Sequence, residues 1–397
     1  MTPDNKEIVL NSLRGLTGYL ERCNFAGWEY DDLLASPLVR LLTFKLLPLQ
    51  IAAVQVAKRS FVNPRRILGV PKLKSTKANG FMVKGFLRAL QATGDDKWLK
   101  HVRELLAWLL ENASPGYSGC CWGNDFDFAS RAGFFPKGLP TVVWSSHIQD
   151  AFFLAYEVLG DEAYKKNAIS VADFVATDLP RLSDESGICL AYAPSIVAPV
   201  HNANLLGAAA LLRAWKYSGK AEHYDLAKKA INWSVKRINN DGSWFYGDKP
   251  MLHWIDNYHT AYNLDCLSLA HEAGGESMVA KDVLQRTFEF WRDHFIGIDG
   301  RPNFYHDRVY PIDIQATAQA IESMAKYSTH DENALDLAWK IALWAIRNMQ
   351  KNNGAFRYRI RKYWTNNLEA IHWGQATMLS ALGHLLFHSE RSINDGR

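Results

Sequence analysis

The stretch Asp241–Leu269, DGSWFYGDKPMLHWIDNYHTAYNLDCLSL, decides the fold. A glycine turn at Asp241-Gly242 opens onto an aromatic loop, Trp244-Phe245-Tyr246. A polar cluster, Asp256-Asn257-Tyr258-His259, then starts a helix whose later turns are apolar. Asp and Asn favour helix starts because their side chains accept bonds from unpaired backbone amides. The stretch therefore predicts reactive side chains at the mouth of a helix whose body is buried.

The same plan recurs outward from it. Glycine turns stand at Gly187, Gly242, Gly300 and Gly354, spaced 55, 58 and 54 residues apart. Aromatic residues follow each turn, as at Tyr192, Phe304-Tyr305 and Phe356. The residues opening the next helix are His147, Asn202, Tyr258, Asp313 and His372, at spacings of 55, 56, 55 and 59. A fixed period of this size means stacked supersecondary units.

Each unit reads as two helices. The first is small and apolar, as in NANLLGAAALLRAW, and the second is charged on one face, as in AEHYDLAKKAINWSVKRI. A helix apolar on most sides is buried, whereas an amphipathic one meets water. Inner helices begin near residues 79, 144, 201, 257, 313 and 371, and outer ones near 95, 161, 221, 277 and 332. A helical pattern at residues 5–22 supplies the missing sixth outer helix. Six pairs close into an all-α (α/α)6 toroid, a six-hairpin barrel, in preference to an open solenoid that would strand the last helix. Residues 1–77 read as N-terminal helices and a basic segment packing on the barrel, and 78–397 as the barrel, one structural domain in all.

The N-terminal part is unusual in charge. Between Leu33 and Gly94 there are eleven Lys and Arg residues and no Asp or Glu, so the rest of the chain, with 34 basic and 41 acidic residues, is acidic. The apolar run 38–57 is broken by Arg40, Lys45 and Pro48, which argues against a membrane span. An interfacial helix followed by the basic segment 58–77 suits peripheral contact with an anionic membrane; a packed helix with a solvated basic loop is the alternative. Five cysteines without paired spacing, and no basic leader followed by an apolar run, predict a reducing, cytoplasmic setting, peripheral at the inner membrane if residues 38–77 bind lipid.

In a closed ring the openers share one rim. The residues expected there to do chemistry are Asp127, Asp256, His259 and Asp313. Those expected to hold a ligand are Trp122, Arg131, His147, Asn202, Trp244, Asn257, Tyr258, Tyr305, Arg308, Glu369, His372 and Trp373. For each, a cap or wall role is the alternative. Asp256 and His259 lie three residues apart and share a helix face, where a carboxylate fixes the histidine tautomer. Among these rim residues no HxxxH or HExxH pattern supports a metal, and no P-loop, GxGxxG or GxSxG supports a cofactor, so none is expected. The basic stretch has few interleaved aromatics and no recognisable module, which argues against nucleic acid.

Two chemistries remain open. Glycoside hydrolysis needs two carboxyl groups, and Asp127, Asp256, Asp313 and Glu369 form the pool. Proton abstraction beside a uronate carboxylate, in a lyase or epimerase, would use Tyr258 or His259 with Arg131 or Asn257 near the carboxylate. A non-catalytic glycan-binding factor would use the same rim.

The segments GYSGCCWGNDFDFASR (116–131), WIDNYHTAYNLDCL (254–267) and YPIDIQATAQAI (310–321) resemble a bacterial polysaccharide-biosynthesis family labelled VpsJ-like, over nearly the whole chain. The chain is also similar to the six-hairpin glycosidase-like superfamily. These resemblances imply a carbohydrate-active protein of capsule or exopolysaccharide assembly, acting on an oligosaccharide or polysaccharide that is anionic or lipid-linked. They transfer no catalytic residue. IDIQATAQA also resembles the DxDDTA motif of class II terpene cyclases, but Gln315 and Ala316 replace the acids that activate the proton donor there. Shared architecture is what that likeness implies.

Overall fold

A computed structural model describes residues 3–130 and 133–395. The helices run α1 (Pro3–Arg22), α2 (Pro37–Leu42), α3 (Leu47–Arg59), α4 (Thr76–Thr93), α5 (Lys97–Glu111), α6 (Val142–Leu159), α7 (Glu162–Thr177), α8 (His201–Ser218), α9 (Ala221–Val235), α10 (Asn257–Gly274), α11 (Lys281–Phe295), α12 (Ile314–Tyr327), α13 (Glu332–Met349) and α14 (Thr377–Asp395). A π-helical turn, Ile371–Ala376, leads into α14.

The inner ring is α4, α6, α8, α10, α12 and α14, each packed on the next, and α14 returns to α4 to close it. The outer ring is α5, α7, α9, α11 and α13, with α1 packed on α14 and α13 as the sixth. Side-chain caps start four inner helices: Ser75, Thr141, Asp256 and Asp313 each accept a backbone N–H from the first turn. At the closing seam, a Cβ on Gly85 would fall 2.7 Å from the backbone of Leu379, and one on Gly383 2.4 Å from Gly85 O. Only glycine lets α4 and α14 approach so closely.

The recurring glycine turns have a physical cause. Gly187, Gly242, Gly300 and Gly354 all have positive φ (140°, 85°, 82° and 92°), and a Cβ would strike a backbone carbonyl at 2.2, 2.4, 2.7 and 2.1 Å. Those carbonyls belong to Lys229, Arg286, Lys340 and Gly15. Three lie on the outer helices α9, α11 and α13; the fourth lies on α1. The first helix thus meets the last turn as every other outer helix meets its own, and the ring is complete.

The strands are short. Phe128–Ser130 pairs with Gly133–Phe135, Arg181–Asp184 with Gly187–Leu190, and Ile312–Asp313 with Arg359–Ile360 and Thr365–Asn366. Residues 23–75 form a roof over the N-terminal ends of the inner helices. Leu33, Leu34, Val39, Val54, Ala57 and Val70 make its small core with Ala129. Ile371 N–H donates to Trp28 O (2.9 Å) and Asn366 Nδ2 to Ser60 O (3.3 Å), which ties the roof to the barrel. The run 38–57 is two helices, separated by a left-handed turn at Phe44 (φ 49°) and Lys45 (φ 56°). The basic segment 58–77 is not uniformly solvated: Arg65 is buried against Asp32 (2.6 Å), and Lys58 and Lys77 point inward. Among the described residues no helix is long and apolar enough to cross a membrane.

Candidate functional site

Beneath the roof aromatic rings cluster, and the partly open space among them is the candidate recess. Tyr30, from the roof, packs on Trp373 (centroids 4.4 Å apart) and Tyr358 (5.8 Å). Tyr258 meets Trp373 edge-on at 5.2 Å and lies 3.9 Å from the ring of His259, which Tyr246 approaches from its other neighbour at 4.5 Å. Tyr30, Tyr246, Tyr258 and His259 all keep part of their surface open, although protein surrounds them. Burial holds the hydroxyls of Tyr30, Tyr246 and Tyr258 well above the usual phenol range, so they are neutral donors.

The Asp256–His259 pair forms as its spacing predicts. Asp256 Oδ1 caps α10 by accepting His259 N–H (3.1 Å). Its Oδ2 lies 2.7 Å from His259 Nδ1 and accepts Trp254 Nε1–H at 2.9 Å. An ionised carboxylate can only accept, so in the neutral imidazole Nδ1 carries the proton and Nε2 offers its lone pair. The carboxylate thus orients the imidazole.

The roof adds groups that the periodicity did not point to. Glu29 is buried, and its Oε1 accepts His372 N–H at 2.7 Å while Oε2 has no partner among the described residues. Burial, opposed by Lys77, pushes its carboxyl up to about 8, so it is protonated at neutral pH. Asp31 is also buried, with Oδ1 unpartnered. Burial lowers the Lys58 ammonium to about 8 against the pull of Asp31; it sits 4.2 Å over the Tyr30 ring. Lys77 lies 4.4 Å over Trp144. The signal for these residues was WEYDD at 28–32, three acids and two aromatics just before the acid-free segment.

The other expected residues divide. Asn202 brings an unpartnered, buried Oδ1, and His372 an unpartnered Nδ1 held well below the usual imidazole range by burial. Tyr305 bridges to Asp256 through the backbone, with Arg308 4.4 Å over its ring; Arg308 itself is exposed beside Asp307. Asp313 is fully enclosed: it caps α12, accepts Trp373 Nε1–H at 2.9 Å and pairs with Arg359 at 2.5 Å. Asn257 is saturated by Asn303 O and Trp291 Nε1. Trp122 and Trp244 have no face open to a ligand; their indoles donate to Leu109 O (2.8 Å) and Ser234 O (3.1 Å) in the wall. Asp127 sits on the outer edge, paired with Arg40 of the roof. Glu369 clamps α1 to the last loop, held by Lys351, Asn353 and Tyr19. Arg131 lies outside the described residues. Among those described, no three His, Cys, Asp or Glu side chains converge as metal ligands.

A second cavity, of about 710 Å³, opens at the opposite end of the barrel. Its wall is charged rather than aromatic. Lys84 pairs with Glu322 (3.2 Å) and Asp150 (3.4 Å), Arg213 with Asp150 (3.3 Å), and Lys326 with Glu322 (2.6 Å) and Asp265 (3.4 Å). Burial would raise Glu322, but Lys326, Lys84 and His384 outweigh it and hold the carboxyl well below its usual range. His147 stands between the cavities, packed on Phe81 (4.9 Å) and Tyr262 (4.8 Å); burial lowers it to about 3. The signal was an ionisable residue near the middle of every inner helix: Lys84, Asp150, Arg213, Asp265, Glu322 and His384.

No protein-family model matches this chain, and no curated protein matches it in sequence. Solved structures do match its fold. An unsaturated glucuronyl hydrolase specific for heparin aligns at TM-score 0.64 and 13% identity over 98% of each chain. A GH76 α-mannanase of Bacteroides thetaiotaomicron aligns at 0.64 and 12%, over 83% of this chain and 90% of its own. A sugar epimerase from a ruminal bacterium aligns at 0.62 and 12%, over 80% and 90%. The chain has the (α/α)6 toroid fold of these proteins.

Proposed function

We propose that this protein is an acid–base enzyme acting on an anionic sugar, with His259 as the proton acceptor and Glu29 as the proton donor. The carrying observation is the 2.7 Å Asp256–His259 contact, which orients the imidazole and leaves Nε2 as its free ring nitrogen among aromatic rings. Ring faces suit sugar faces. Lys58 and Lys77 are cations without a bonded carboxylate in the roof region and suit a uronate carboxylate or a phosphate. His259 would take a carbon-bound proton beside that carboxylate. Glu29 would then return a proton to the opposite face, giving an epimer, or protonate a leaving oxygen, giving an unsaturated product.

Paired-carboxylate hydrolysis has less support. Asp127, Asp313 and Glu369 are each bound to a cation, and Asp256 is bound to His259. The fold neighbours include a sugar epimerase and two glycan hydrolases, which agrees with a glycan substrate. The VpsJ-like resemblance supports a role in bacterial surface-polysaccharide assembly, in the cytoplasm, on a lipid-linked glycan.

The test is to incubate the protein in D₂O and in H₂¹⁸O with uronate-containing, phosphorylated and neutral oligosaccharides. Deuterium at a sugar carbon, lost in His259→Asn, is the expected result. Anomeric ¹⁸O without carbon-bound deuterium would replace this reading with hydrolysis. Retention of the sugars with no conversion would favour a binding factor.

A further inference from the structure

The roof has an outer face that the recess does not explain. Twenty large hydrophobic side chains are exposed among the described residues, and eleven of them fall between Leu38 and Ile67. The most open are Leu41 (70%), Phe44 (74%), Val56 (70%), Phe61 (76%) and Ile67 (82%). Scattered apolar residues are ordinary on a surface, but a concentration this dense marks an interaction site. Phe44 and Lys45 sit in left-handed backbone, an unfavourable conformation for both, and it carries Phe44 outward between α2 and α3.

Cations are interspersed with these side chains. Lys45, Arg59, Arg66 and Lys72 are exposed, and no carboxylate occurs between Leu33 and Gly94 to neutralise them. Several other cations of the segment are engaged elsewhere: Arg40 with Asp127, Arg65 with Asp32, Lys84 with Glu322, and Lys58 and Lys77 over the rings of Tyr30 and Trp144. Apolar side chains set among cations of one sign complement the headgroup and acyl boundary of an anionic bilayer.

We infer that the outer face of α2, α3 and the loop to Lys72 docks the protein on an anionic membrane surface, Phe44 and Phe61 entering the boundary and Lys45, Arg66 and Lys72 meeting lipid phosphates. This holds whatever reaction the recess performs. The same roof supplies Glu29, Asp31 and Lys58, so docking brings the recess beside the lipid.

The test is flotation of the purified full chain with vesicles of phosphatidylcholine alone, or with 30% phosphatidylglycerol, at roughly 50 and 300 mM salt. Binding only to the anionic vesicles, weakened at high salt, is expected. Each of Lys45→Gln, Arg66→Gln and Lys72→Gln should weaken it by about fivefold. Phe44→Ser combined with Phe61→Ser should abolish it with an unchanged melting temperature, since both rings lie outside the core. Failure to float, binding indifferent to salt, or binding unaffected by the Phe44/Phe61 variant would overturn the proposal. So would a wild-type dimer that the Phe44/Phe61 variant converts to a monomer, because the face would then be a contact between copies of this chain.

Discussion

The two ends of the barrel axis differ in how their ionisable groups are held. In the lower cavity Lys84, Asp150, Arg213, Asp265, Glu322 and Lys326 satisfy one another. At the upper end Glu29, Asp31 and His372 each keep a buried polar atom without a partner among the described residues, while at the lower end Arg88 and His384 do so beside the paired network. A paired buried charge is committed to holding its neighbours, whereas an unpaired polar group awaits a ligand or water. On the reading proposed above, the paired network of the lower end serves stability and the upper end serves chemistry.

The largest effect expected from that contrast is on turnover. His259→Asn should lower it by about 10² to 10⁴ in steady-state assays, while the melting curve stays near wild type. Equal activity in the variant would dissolve the distinction. At the other end, Glu322→Ala strands Lys84 and Lys326 and should cost about 3–5 kcal/mol in urea unfolding, with turnover per folded molecule retained. Loss of turnover instead would move the chemistry downward.

The pH dependence sharpens the comparison. The Glu29 carboxyl would ionise near 4.5 when unfolded but only near 8 when folded. The stability it contributes is therefore complete below about 4.5 and is lost as pH rises through about 8. Thermal melts from acid to alkaline pH should show this decline, and Glu29→Gln should remove it. Turnover should fall over the same alkaline range, and the variant should lose about a hundredfold at neutral pH. His147 acts in the other direction: with a folded value of about 3 against 6.5 unfolded, its contribution disappears as pH falls through that interval. The smallest effect belongs to the wall. Trp122→Phe and Trp244→Phe each remove one buried N–H···O bond and should cost about 1 kcal/mol of stability, leaving sugar affinity unchanged.

Much of this was legible in the residues. The glycine period could be read because each turn abuts an outer helix, a requirement that tolerates no other residue. The Asp256–His259 pair could be read because its geometry is internal to one helix turn. Asp313 was expected to do chemistry and instead caps α12 and pairs with Arg359, because capping and catalysis select the same side chain. Trp122 and Trp244 were ambiguous for a related reason: an indole in a loop can face the wall or the opening. Glu29 and Asp31 depend on a segment far from the repeats folding back over the mouth, and no local pattern encodes that return. The lower cavity was overlooked because single charges in otherwise apolar helices seem minor until six of them face one axis.

The roof also limits what can enter. His147, packed between Phe81 and Tyr262, closes the floor, and residues 23–75 cover the top. A site closed below has no exit for a polymer threaded through its middle. If the proposed glycan chemistry runs there, processing is from the end of a strand rather than at internal linkages.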